Sequence, residues 1–244
     1  MKKRMRGNVE VRSSVEEKSD FASQNVSFLR PVFVTVPMKL FTYGAFKRGF
    51  DATVSFCSLV MLSPLFLVVA TAIKLDSPGP VLFKQKRTGK NGKEFNILKF
   101  RSMSQDNNMK DLSCDDKCTR VGGWLRKTSI DELPQLINVL RGQMAFIGPR
   151  PWIPEYWNNM NMQERRRYSV RPGITGLAAA KGRNGLNVFE KINYDLEYVD
   201  NYSLKMDTKV VFLTVKQVLN AKEADAGKKK VHNDIKDLKK ENGR

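Results

Sequence analysis

"ATVSFCSLVMLSPLFLVVATAI", residues 52–73, is the stretch on which the architecture of this chain turns. It contains no charged residue and meets the length of about 20 apolar residues that a transmembrane helix needs. Yet Ser63-Pro64 stands at its middle. Proline has no amide hydrogen, and its ring displaces the carbonyl four residues back, so a helix bends there. In hydrocarbon the freed carbonyl is costly, and a serine hydroxyl is one way to satisfy it. Both flanks are basic: Lys39, Lys47 and Arg48 precede the run, while Lys74, Lys84, Lys86 and Arg87 follow it. Lysine and arginine favour the cytoplasmic side, and a single crossing satisfies only one flank. Two readings follow. One is a spanning helix with a proline kink; the other is a re-entrant hairpin that turns back at Ser63-Pro64. Either attaches the chain to a membrane, since a soluble fold would have to bury this run on all sides.

A chain of 244 residues suits one sizeable domain with tails, and a 41% hydrophobic fraction supports a core. The formal net charge of +18 and pI near 9.9 call for an anionic partner. Nucleic acid, an anionic lipid surface and phosphorylated small molecules all qualify. Cys57, Cys114 and Cys118 form no disulfide framework and lack zinc-site spacing, so a reducing, cytosol-facing location is the simplest reading. The one histidine, His232, lies in the lysine-rich C-terminal tail. Ser-His and Cys-His catalysis are therefore excluded, leaving carboxylates, lysines or a metal. Residues 1–45 carry no secretory signal and read as a flexible extension. Residues 222–244 read as a solvated basic tail.

Past the apolar run and the turn-rich Asp76–Pro80, strands are predicted over Val81–Arg87 and Glu94–Phe100, with Asn91-Gly92 as the turn signal. Arg87, Lys99 and Arg101 bracket this hairpin and are candidates for a basic wall facing phosphates. A loop then leads into a short helix and "RKTSIDELPQLINVLRG", residues 126–142. Ser129 with Glu132 fits a capping box. Moving the cap to Asp131 puts Pro134 in the first turn, where its missing N–H costs nothing. Asp131 and Glu132 are thus helix-starting residues, catalytic carboxylates, or both.

Pro149-Arg150-Pro151 reads as a rigid loop presenting one arginine. Arg165 to Arg167 read as a charged helix face. Arg171-Pro172-Gly173 and Lys181–Gly185 read as loops whose glycines let a ligand approach the backbone, with Arg171 a further binding candidate. Walker A and G-x-G-x-x-G loops are absent. Val211, Val215, Val218 and Leu219 lie at helical spacing and read as core-facing, with membrane-surface seating as the second reading.

Three stretches together identify a family: "SPLFLVVATAIKLDSPGPVLFKQKRTGKNGKEFNILKFRSM", "DELPQLINVLRGQMAFIGPRP" and "YSVRPGITGLAAAKGRN", continuing through "DLEYVDNYSLKMD". From about Phe46 to Ala221 the chain resembles the bacterial sugar transferases of the compact, monotopic phosphoglycosyl transferase kind. The resemblance implies a mainly helical α/β fold: a re-entrant membrane hairpin at about 50–74, bent at Ser63-Pro64, and a compact cytosolic catalytic part at 75–221 containing a short β-hairpin. It implies transfer of a sugar-1-phosphate from a UDP-sugar to undecaprenyl phosphate with release of UMP, the first membrane step of polysaccharide or glycoconjugate assembly. Asp131 would be the nucleophile that carries the phosphosugar. Glu132 would hold Mg2+, and Pro149-Arg150-Pro151 would help bind the nucleotide.

The site would face the cytoplasm at the bacterial inner membrane, with the bilayer as a partner, no nucleic acid expected, and self-association into a homo-oligomer compatible. Ala179-Ala180 departs from the family, which commonly has Gln-Val there, and this bears on the local pocket and sugar preference. Two other classes remain: a membrane-tethered nucleic-acid-binding protein and a non-catalytic assembly scaffold. Aromatics at 9% supply little stacking surface for the first; the intact Asp131-Glu132 pair weighs against the second.

Overall fold

The structure, a computed structural model, describes residues 38–103, 118–182, 185–219 and 231–242. Residues 1–37 of the expected N-terminal extension lie outside the described residues, and residues 38–45 are helical and not a flexible extension. The apolar run folds as two helices, α1 (Met38–Met61) and α2 (Ser63–Asp76), bent by 62° at the break. The cause is local. Pro64 cannot donate to the Val60 carbonyl four residues back, and the Ser63 hydroxyl donates to that carbonyl instead, at 2.8 Å. Among the described residues no single helix is long and apolar enough to cross a membrane; the bent pair meets that test jointly. Its outer surface leaves Phe50, Phe56, Val60, Met61, Leu67 and Val68 exposed. Its inner surface buries Val69 and Ile73 against Phe100 and Leu125.

Strands β1 (Leu82–Thr88) and β2 (Glu94–Phe100) pair antiparallel, within a residue of the expected limits. The turn between them bends through left-handed Asn91 (φ 56°) and Gly92 (φ 78°), the conformation that Asn-Gly favours. Just beyond β2, Arg101 donates to the carbonyls of Pro78 (2.7 Å) and Ser77 (2.6 Å), binding the end of α2 to the hairpin. The remaining elements are α3 (Arg120–Lys127), α4 (Gln135–Leu140), β3 (Ala145–Ile147), α5 (Pro154–Asn159), α6 (Met162–Arg165), β4 (Gly173–Thr175), α7 (Leu177–Gly182), α8 (Val188–Asp200), α9 (Leu204–Leu219) and α10 (Val231–Glu241). Among the described residues the fold is thus mainly helical with two two-stranded sheets, β3 and β4 being parallel.

Helix α1 is fastened to the body by polar contacts. Lys47 forms a buried ion pair with Asp207 of α9 and donates to the Ile147 carbonyl (2.8 Å) and the Tyr198 hydroxyl (3.0 Å). Arg48 donates to the carbonyls of Val139 and Leu140, both at 2.7 Å, and so caps the C-terminus of α4.

Three expectations need correction. Val211, Val215, Val218 and Leu219 are exposed, not core-facing. Helix α9 carries apolar residues on more than one side, and the stripe that packs inward is Met206 with Val210. The basic tail is not wholly solvated: α10 buries Ile235 and Leu238 because these two fall on one helical face. Cys118 is disulfide-bonded, whereas Cys57 is free and exposed.

Candidate active site

Residues Ile130–Glu132 form a single 3-10 turn ahead of α4. It is entered through Ser129 in a left-handed conformation (φ 58°), with the Ile130 side chain packed in the cluster that contains Leu125 and Phe100. Neither expected cap forms. Ser129 makes no side-chain capping bond, and Pro134 stands at the N-cap of α4. The two carboxylates are therefore not spent on starting a helix. Asp131 is buried, at 8% exposure. Glu132 Oε1 accepts from Lys99 Nζ at 2.6 Å and from an Arg150 guanidinium nitrogen at 3.1 Å.

Lys99 reaches Glu132 because Asn138 ties α4 to β2. The Asn138 amide accepts from Leu98 N at 3.0 Å and donates to the Asn96 carbonyl at 2.8 Å, one bond on each side of Ile97. A polar residue inside "LINVL" is the signal that could have revealed this link, since a buried amide must find partners. Opposite pairs in the antiparallel ribbon share a face, so Arg87 (across from Phe95) and Lys99 (across from Phe83) lie on one side at its two ends.

The Arg150 loop is held by backbone contacts. Gly173 N donates to the Pro149 carbonyl (3.0 Å), Thr88 N donates to the Trp152 carbonyl (2.8 Å), and Arg87 reaches the Pro151 carbonyl at 3.5 Å. Gly173 serves this crossing and not a ligand: a Cβ on it would lie 2.2 Å from Gly148 N. The charged face expected of Arg165 to Arg167 is interrupted. Arg167 is fully buried, donates to both the Asp195 carboxylate (2.6 Å) and the Arg150 carbonyl (2.9 Å), and lies 3.9 Å over the Trp152 ring. No sequence pattern marked that role.

Electrostatics separate the two carboxylates. Burial pushes the Asp131 carboxyl above its ordinary range, with Glu132 adding to the rise and Lys99 opposing it. Burial would also raise Glu132, but Arg150 and Lys99 more than reverse this and hold it down to about 2. Burial lowers Lys99, while Arg87, desolvated and beside Arg150, falls to about 10 and stays charged at neutral pH. Two candidates lie elsewhere. Arg101 is spent on the end of α2, and Arg171 donates to the Gly142 carbonyl (3.1 Å) past the far end of α4. Lys181 and Gly182 close α7, while Arg183 and Asn184 lie outside the described residues.

A family model described as bacterial sugar transferase matches residues 42–221. The chain belongs to the bacterial sugar transferase family. It is 43% identical over 196 residues to an undecaprenyl-phosphate glucose phosphotransferase of Komagataeibacter xylinus, covering 73% of this chain and 36% of that one. It is 45% identical over 182 residues to a UDP-glucose:undecaprenyl-phosphate glucose-1-phosphate transferase of Klebsiella pneumoniae, covering 70% and 39%. An exopolysaccharide production protein of Rhizobium leguminosarum bv. phaseoli is 43% identical over 195 residues, covering 69% and 92%. The chain thus spans well under half the length of the first two relatives and nearly all of the third.

Among the described residues no group of three or more His, Cys, Asp or Glu could hold a metal. Mg2+ does not need one. It is commonly bound by one or two carboxylates with substrate phosphates and water, a requirement that the single carboxylate of Glu132 fits.

Proposed function

We propose that this chain transfers a sugar-1-phosphate from a UDP-sugar to undecaprenyl phosphate through a phosphosugar carried on Asp131. The observation that carries the reading is a buried carboxylate, Asp131, beside a second one already engaged by Lys99 and Arg150. An Asp131 oxygen attacks the phosphorus that bears the sugar. The bond from that phosphorus to the bridging oxygen breaks, and UMP leaves with that oxygen. A phosphate oxygen of the lipid acceptor then attacks the same phosphorus and restores the carboxylate. An ionised aspartate has no proton to lose, so no histidine is required. Lys99, Arg87 and Arg150 offset the negative charge of the diphosphate. Glu132 would hold Mg2+, which would supply Lewis-acid stabilisation of the negative charge on the donor.

The acceptor is a lipid, so its phosphate must be met at headgroup depth. The bent helix pair, with apolar side chains outward and basic residues at both ends, supports a hairpin seated in the cytoplasmic leaflet of the bacterial inner membrane. The exposed apolar side of α9 supports interfacial seating as well. Single cysteines placed before and after the hairpin are both expected to resist a periplasm-only thiol reagent; labelling of either flank from outside would mean a crossing helix. Names of the relatives support glucose-1-phosphate as a donor group and polysaccharide assembly as the destination.

The direct test incubates purified protein with undecaprenyl phosphate, Mg2+ and a panel of UDP-sugars and measures UMP. Acceptor-dependent UMP release with one or more sugars is expected; none with any would refute the reading. Its pH profile is informative too. Asp131 must be ionised to attack, and its carboxyl is raised in the fold. Activity is therefore present at neutral pH and falls as acid protonates Asp131, the acid limb lying above the ordinary aspartate value of about 4. Glu132, at about 2, remains ionised through that fall. A limb at or below about 4 would dissociate it from Asp131.

A further inference from the structure

Helix α10 lies past Ala221, where the family match ends. It is nevertheless built into the wall behind the Arg150 loop. Ile235 and Leu238, the latter at 0% exposure, enter the core cluster of Tyr156, Met160, Tyr168, Val188 and Ile192. Just after α10, the Asn242 amide donates to the Asn159 carbonyl (3.0 Å) and Glu164 Oε2 (3.2 Å) and accepts from Asn161 Nδ2 (3.1 Å). Asn161 and Glu164 form the capping box that starts α6. The attachment thus has an apolar part on α5 and a polar part at the α5–α6 junction.

From there a short series of contacts reaches the site. The Tyr156 ring lies 4.6 Å from Trp152, Trp152 lies beneath the Arg167 guanidinium, and Arg167 donates to the carbonyl of Arg150, whose own guanidinium holds Glu132. The intervening helices cannot hold this line alone. Helices α5 and α6 have six and four residues, and isolated helices shorter than about 12 residues are marginal in water. Their order comes from what they pack on. Val188 and Ile192 of α8 contribute one part of that surface and α10 contributes another.

We infer that α10 is a positioning element of the donor site: Ile235, Leu238 and Asn242 hold α5 so that Arg150 faces the donor diphosphate. This rests on the reading that Arg150 grips that diphosphate. Breaking the attachment loosens residues 149–157, the Arg150 loop with the start of α5, and leaves α1, α2 and α9 in place, because none of these appears in the cluster that Ile235 and Leu238 enter. The expected signature is selective. Affinity for the donor falls, while the acceptor, which is seated by the hairpin side, is handled as before.

The full chain carrying Leu238→Asp or Asn242→Ala tests this. Hydrogen exchange is read over residues 149–157 and over α9, and UDP affinity with Mg2+ is measured by calorimetry. Leu238→Asp is expected to deprotect 149–157, leave α9 protected and weaken UDP binding about tenfold or more, since small misplacements of positioning groups cost up to ~100-fold. Asn242→Ala, which keeps the apolar contacts, is expected to do the same to a smaller degree. KM for the UDP-sugar should rise with KM for undecaprenyl phosphate unchanged. Unchanged exchange at 149–157, or deprotection spreading equally through α9, overturns the inference. Full chain that binds no UDP removes the donor reading instead, and exchange at 149–157 alone then decides whether α10 braces the loop.

Discussion

Asp131→Asn is expected to lower transfer by ~10⁴-fold or more, the scale seen when a covalent nucleophile is removed, while membrane association stays unchanged. The two side chains are nearly isosteric, so the 3-10 turn at Ile130–Glu132 and the bonds from Lys99 and Arg150 to Glu132 survive the exchange. What is lost is the anionic oxygen. An amide is a poor nucleophile toward phosphorus, and the neighbouring Glu132 is fixed in its own place by Lys99 and Arg150. Quenching the reaction before acceptor is added should show native protein heavier by one sugar phosphate, with the added mass on the peptide containing Asp131. The variant should show none. A variant that still turns over at a comparable rate would remove Asp131 from the mechanism, and an adduct on another residue would relocate it.

Arg167→Met is expected to be the most destabilising single change near the site, by about 3–5 kcal/mol, because it leaves a buried carboxylate without its partner. Asp195 is 2% exposed and receives two bonds from that guanidinium, at 3.0 and 2.6 Å. Burial already raises the Asp195 carboxyl, and Arg167 opposes that rise. Without Arg167 the folded-state value climbs further, so the deficit is greatest where Asp195 would be charged and shrinks as pH falls and it takes up a proton. Urea midpoints at neutral and acid pH measure both the size and the sign. Pairing the change with Asp195→Leu should recover much of the loss, because two apolar side chains leave no orphaned charge. A single variant as stable as the parent would mean that the pair contributes little.

Local rules made a good part of this fold legible. Ser63-Pro64 announced a bend, and the bonding that closes it is a matter of one residue reaching its own neighbourhood. Asn91-Gly92 set the hairpin turn in the same way. In the candidate site, Lys99, Arg150, Asp131 and Glu132 were all singled out from the sequence, and the structure brings them together. Arg101 and Arg171 share their charge but not their place, because the carbonyls of Ser77, Pro78 and Gly142 claim them. Partnerships between residues far apart in the chain left no local trace. Arg167 with Asp195 is one, and the return of α10 onto α5 is another. The outward stripe of α9 shows a different limit: helical spacing reveals a stripe but does not say which of two apolar sides faces inward.

The grip of Arg48 on the Val139 and Leu140 carbonyls has a geometric corollary. It joins the bent helix pair to the helix that directly follows Asp131-Glu132, so the pair and the two carboxylates share one frame of reference. On the proposed seating, that clasp works as a depth gauge. The carboxylate has a set altitude above the lipid tails, and an acceptor whose phosphate rides higher or lower than that plane would miss it, whatever its chain chemistry.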